Sequence, residues 1–153
     1  MDQDKLSFIK NDFVTKLKSL NPDTVGKWGK MNAQQMVEHV AGFFKVSTNQ
    51  IQFPLVTPEE HLPKFKAFLL SDKEFRENTK APVLPEEPLP VAHNSLQEAI
   101  EELEEQINLF VEKFSSGEIG LSQHPVFGDL NFEEWVLLHY KHVMHHAKQF
   151  GLM

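Results

Sequence analysis

Four of the eight histidines in this chain fall within eight consecutive positions, His139 to His146, inside the stretch NFEEWVLLHYKHVMHHAKQF at residues 131–150. Residues four apart on a helix are neighbours on one face and about 6 Å apart along it, so the imidazoles of His142 and His146 can reach one metal ion. His139 lies one turn earlier on that face, and Trp135 and Gln149 extend the stripe in both directions. His145 falls off the stripe and is expected at the surface. Neutral imidazole is a ligand for zinc, nickel, iron, manganese and cobalt. Two such ligands make half a site, and its chemistry depends on a third donor from elsewhere in the chain.

The elements that must bring this donor are readable from apolar periodicity. Leu6, Ile9, Phe13, Leu17 and Leu20 step by three or four, the stripe of an amphipathic helix over residues 2–20. Asn21-Pro22 stops it. Asn32 with Gln35 three residues on is an Asn-headed capping box and predicts a second helix over residues 33–48, with Met36, Val40 and Phe43 facing the core. His39 lies on the same side. Beyond a break at Pro54 and Pro58, residues 59–70 predict a shorter helix through Leu62, Phe65, Phe68 and Leu69. A structureless crossover then runs to Pro90, marked by Pro82, Pro85 and Pro88; with Val83, Leu84, Leu89 and Val91 it is too apolar for a free linker.

Asn94, with Gln97 three residues later, heads the most regular stripe of the chain, Leu96, Ile100, Leu103, Ile107, Phe110 and Phe114. Glu98, Glu101, Glu102, Glu104 and Glu105 lie mostly off it and read as a solvated face. Residues 115–129 read as a loop, after which Asn131 and Glu134 form a second capping box at the head of the histidine helix. No alternating strand pattern is apparent. The expected architecture is therefore an all-α four-helix bundle with a short extra helix and a long Pro-rich crossover between helices two and three. The 153 residues fit one domain spanning 1–153, long enough to bury roughly 68–70% of the unfolded surface.

Composition removes several function classes. There are no cysteines, which excludes disulfides, thiolate metal sites and a protein thiol nucleophile. A formal charge of −7 without any basic run argues against nucleic acid, whose binding requires Lys and Arg to neutralise phosphates. The start MDQDKLSFIK carries acidic residues where a signal peptide needs basic ones, and no apolar run approaches the roughly 20 residues of a membrane span. A soluble, cytoplasmic protein with no membrane partner is expected.

If the second and last helices pack side by side, His39 meets His142 and His146 in the bundle core, where such sites are built. Three nitrogens on a divalent ion leave positions open for water or substrate, the mark of a catalytic site. Other metal patterns fail on spacing. A di-iron carboxylate bundle needs Glu three residues before a histidine, and none of the eight has it. A zinc protease needs Glu directly after its first histidine, where Val143 stands. No P-loop, dinucleotide fingerprint or nucleophile elbow is present.

His142-Val-Met-His145-His146-Ala-Lys-Gln149 resembles the C-terminal signature of the DinB/YfiT-like superfamily, and Trp28 to Val40, WGKMNAQQMVEHV, resembles its approach to a helix-two histidine. His124-Pro-x-Phe-Gly, the Glu134-Trp135 pair and Gln149-Phe150-Gly151 resemble a branch known only as a domain of unknown function. The resemblance covers most of the chain. It implies a four-helix bundle holding a divalent metal through His39, His142 and His146, the set that the helix faces give. It also implies the activities of characterised members, metal-dependent thiol transfer and maleylpyruvate isomerisation, with a small thiol cosubstrate. Ala147-Lys148 stand where Arg-Gly is common before the family glutamine.

Further residues have two readings each. His139 is a substrate-facing or ligand-supporting residue, or one more member of a polar core stripe. His124, before Pro125, is a proton donor or fourth ligand over the bundle mouth, or a loop anchor. Trp28 and Trp135 line a pocket or fill the core, and Gln149 either bonds near the site or ends its helix. No residue stands out as a general base. Two function classes follow: a transferase or hydrolase acting on a small molecule, or a non-catalytic metal- or ligand-binding bundle, with a homodimer compatible with both. A metal-free helical domain is the blander alternative.

Overall fold

The first apolar stripe becomes α1 in the computed structural model, which describes residues 1–153. Asp2 caps α1 by accepting the Lys5 N–H. The helix covers residues 3–17, and its middle turn, Phe8–Asp12, is π-helical between α-helical ends. Ile9, Phe13 and Leu17 follow one another at steps of four, which drift around a 3.6-residue helix; one wider turn takes up the drift, and all three are fully buried.

Helix α2, Ala33–Ser47, begins at the predicted capping box. The Asn32 side chain accepts the Gln35 N–H and the Gln35 side chain accepts the Asn32 N–H. It buries Met36, Val37, Val40, Ala41 and Phe44. A 3₁₀ turn, Glu59–His61, leads into α3, Leu62–Leu70, which has proline in its first turn. Helix α4, Leu96–Ser115, starts one residue later than the Asn94 cap predicts. Ser95 Oγ accepts the Glu98 N–H, while the Asn94 N–H donates to the Glu98 carboxylate. Helix α5, Phe132–Gln149, carries the capping box of Asn131 and Glu134 as expected.

The expectation of an all-α bundle is overturned. Residues 115–129 are not only loop: β1, Ser122–His124, and β2, Gly128–Leu130, form a two-stranded antiparallel sheet beside five helices, with Ser122 opposite Leu130 and His124 opposite Gly128. Strands of three residues are too short to display alternation in the sequence, although it is present: Ser122, His124, Gly128 and Leu130 are buried, and Asp129 is exposed. Gly128, at φ +80°, closes the three-residue loop.

The core lies where α2 packs along α4 and meets α5, with the hairpin against α2. The proline-spaced crossover has no regular structure, and side chains of α2 satisfy its backbone. The Glu38 carboxylate accepts the N–H groups of Ala92 and His93, and Gln34 Nε2 donates to the His93 carbonyl at 2.8 Å. No helix is long and apolar enough to cross a membrane.

Candidate metal centre

Helix periodicity puts His142 and His146 on the buried stripe of α5, and the packing of α2 against α5 brings His39 to them across 103 residues of chain. His142 Nε2 stands 3.0 Å from His39 Nε2 and 3.1 Å from His146 Nε2. Ligand nitrogens of all three lie within 4.8 Å of one another. Two imidazole nitrogens bound to one ion at about 2.1 Å and about 90–109° stand about 3.0–3.4 Å apart, so this spacing suits a shared ion.

Gln149 fixes the tautomer of one ring of the cluster. Its Nε2 donates to the Trp28 carbonyl at 2.9 Å, so its Oε1 is the atom 2.7 Å from His146 Nδ1. An amide oxygen only accepts; His146 Nδ1 therefore carries the hydrogen, and His146 Nε2 presents a bare lone pair to the cluster. Among neutral rings, one N–H on His142 Nε2 can at best be shared between two facing lone pairs, whereas a cation takes all three. His142 Nδ1 is buried without a partner. The donor set thus fits a metal ion.

Electrostatics point the same way. Burial pushes the His39 ring down to about 4, with His145 adding to the shift. Burial, and then the neighbouring histidines, push His142 well below 6.5; His146 is lowered likewise, against an opposing hydrogen bond to Gln149. All three rings are neutral at pH 7, the form that binds metal without first losing a proton. The half-buried Phe43 ring lies 4.3 Å from His142 and 5.0 Å from His39, an apolar cover on the cluster.

His139 is placed elsewhere. Ser47 Oγ donates to the Phe44 carbonyl at 2.7 Å, so it accepts from His139 Nε2 at 3.0 Å. The ring is stacked 3.8 Å from Phe44, at 9°, and 5.2 Å from Trp135. Fully buried Trp135 donates to the Ser122 carbonyl, and Ser122 Oγ donates to the Ser47 carbonyl, so this polar thread ties α2, β1 and α5 together inside the core. His124 anchors its own hairpin. Its Nδ1 accepts the N–H groups of Val126 at 3.0 Å and Phe127 at 3.3 Å, and burial lowers its pKa to about 4. Its ring lies 6.0 Å from Phe43.

His145, expected at the surface, is half-buried instead. Trp28 at 5.5 Å and Phe75 at 6.1 Å cover its ring. Two glycines escaped the sequence reading as site residues. A Cβ on Gly29, at φ +78°, would stand 2.9 Å from Gln149 Nε2, and one on Gly26 would stand 2.9 Å from Gln149 Cγ. The loop they form is shaped around the amide that orients His146. The signal available was two glycines around Lys27-Trp28 in a linker, and nothing local ties them to a residue at the other end of the chain.

Fold and site together define a mostly helical protein with a cluster of three histidines, His142 and His146 buried and His39 partly exposed, able to hold a metal ion. The chain belongs to the family described as "Protein of unknown function (DUF1569)", which matches residues 2–153. No curated protein and no solved structure matches it.

Proposed function

We propose that His39, His142 and His146 bind one divalent ion, zinc, nickel, iron, manganese or cobalt, through their Nε2 atoms, and that this chain is a metal protein related to the DinB/YfiT-like superfamily acting on a small molecule. The observation that carries this reading is the convergence of three Nε2 atoms with the His146 tautomer set from behind by Gln149. A ligand histidine whose other nitrogen is held by an acceptor is the usual arrangement at metal sites. The ion would supply Lewis-acid chemistry, lowering the pKa of a coordinated water or thiol and polarising a substrate oxygen or sulfur. The protein holds the three ligands neutral, orients one of them, and shields the cluster with Phe43. Thiol transfer or hydrolysis are the reactions this chemistry serves. The cluster consists of imidazoles alone, with no carboxylate as a base, and this favours a non-catalytic metal-binding protein as the second reading.

Metal analysis of protein purified without chelators tests the site, with one ion per chain expected and a loss of that ion in His142→Ala. Cobalt substitution separates the two readings. Visible bands that shift on adding cysteine or glutathione support an exchangeable position and an enzyme; bands indifferent to both support a closed binding site. Protein that takes up no divalent metal under any preparation sinks the proposal.

A further inference from the structure

Beside the histidine cluster lies a cavity of about 400 Å³, at the small end of the roughly 300–1,000 Å³ range of ligand sites. Three stretches far apart in sequence build it: the glycine loop gives Lys27 and Trp28, the crossover gives Phe75 and Glu77, and α5 gives His145. Two of its walls also back the cluster. The His145 ring is 5.0 Å from that of His146, and the Trp28 carbonyl receives the Gln149 amide that sets the His146 tautomer.

The charges on the wall do not all cancel within the protein. Lys148 pairs with Glu74, whereas Lys27 and Glu77 stand outside any ion pair. One free ammonium and one free carboxylate therefore face a space bounded by an indole, a phenyl ring and an imidazole. A simple anion would be repelled by Glu77 and a simple cation by Lys27; a molecule carrying both charges suits both.

From this juxtaposition we infer that the cavity binds a small zwitterion of amino-acid type with an apolar or aromatic side chain, its carboxylate toward Lys27, its ammonium toward Glu77 and its side chain against Trp28 and Phe75. The site stands beside the metal reading and does not rest on it, because none of these contacts involves the ion.

The test uses the metal-free full chain and three probes: L-phenylalanine, phenethylamine, which lacks the carboxylate, and 3-phenylpropionate, which lacks the ammonium. Trp28 fluorescence reports binding, with Trp28→Phe as the control that removes the reporter and leaves the fully buried Trp135. Phenylalanine is expected to saturate in the sub-millimolar to millimolar range, about 10⁻⁴–10⁻³ M, and to bind more tightly than either truncated probe. Lys27→Ala should weaken phenylalanine by about three- to fivefold, as befits a solvent-exposed charge pair, and tighten phenethylamine by relieving its repulsion; Glu77→Ala should weaken phenylalanine likewise and tighten 3-phenylpropionate. No saturation by phenylalanine at about 10 mM overturns the inference, as does equal affinity for all three probes or indifference to both substitutions. Since metal is absent throughout, failure of this site is distinguishable from failure of the metal centre.

Discussion

Replacing Gln149 with leucine removes one acceptor and one donor from a side chain that is 3% exposed. His146 Nδ1 loses the oxygen 2.7 Å away and the Trp28 carbonyl loses the amide 2.9 Å away. Each buried group left unsatisfied costs about 1–3 kcal/mol, so metal-free protein should lose about 2–4 kcal/mol of stability, the lower part of the sum because loop 26–29 can relax toward water. Metal affinity should fall separately. Without its acceptor, the His146 ring is free to place its hydrogen on Nε2, and loss of such an outer partner typically costs about 10–100-fold in affinity. Gln149→Glu divides the two effects. A carboxylate still accepts from His146 Nδ1, more strongly than an amide, yet it cannot donate to Trp28. The glutamate variant should therefore still be destabilised, by the unpaired Trp28 carbonyl and the carboxylate oxygen set against it, while retaining wild-type zinc affinity or better. Denaturant unfolding of the metal-free proteins and zinc competition against a chromophoric chelator give the two quantities. A leucine variant that is less stable but binds zinc within about twofold of wild type, well inside the expected 10–100-fold loss, would refute the tautomer argument.

Acid should unfold the metal-free protein through its buried neutral histidines. His124 is held at about 4 against 6.5 when unfolded, so the unfolded chain takes up the proton first. This ring's contribution is complete above pH 6.5 and is lost as pH falls through 4, about 3 kcal/mol in all. His139, also lowered by burial, acts in the same direction. Unfolding curves between pH 7 and pH 4 should show stability falling with pH, and a flat profile contradicts the assignment. Ser47→Ala strips His139 Nε2 of its acceptor and should cost about 1–3 kcal/mol without changing zinc affinity. Gly29→Ala, strained at φ +78° and pressed on Gln149, should lower both stability, by about 1–2 kcal/mol, and zinc affinity. Gly117→Ala has the same backbone strain at φ +81° but open space around it, and should lower stability alone.

What the sequence makes legible is set by how local the cause is. The boxes Asn32/Gln35 and Asn131/Glu134 are each closed within four residues, so their side chains announce them. Asn94 and Ser95 are both good caps with an acceptor three residues on, and the ambiguity is resolved only when the Glu98 carboxylate engages the Asn94 N–H. His39, His142 and His146 could be grouped because helix period alone puts each on an inward face. The hairpin could not be seen. Its strands are three residues long, and its turn is held by the His124 ring, the loop anchor that is one of the two readings open to a histidine before Pro125. The burial of His145 is not legible either, because a helix stripe says nothing about what arrives from elsewhere; Trp28 and Phe75 cover it from two distant segments.

Two of these histidines on α5 show why residue type and burial together do not determine role. His139 and His146 are both buried, both kept neutral by desolvation, and both bonded to a polar side chain. They differ in which nitrogen the partner occupies. Ser47 accepts from His139 at Nε2, the outer nitrogen, and so leaves that end of the ring nothing to offer an ion. Gln149 accepts from His146 at Nδ1, the inner nitrogen, and so leaves the Nε2 lone pair bare and aimed at His142. An acceptor on one side of the ring makes a core strut, and on the other a ring free to offer its lone pair to an ion. Ser47 on α2 and Gln149, gripped by the loop of Gly26 and Gly29, therefore divide the α5 stripe into a part that ties the core and a part able to hold a metal ion, a division made by residues outside the histidine cluster.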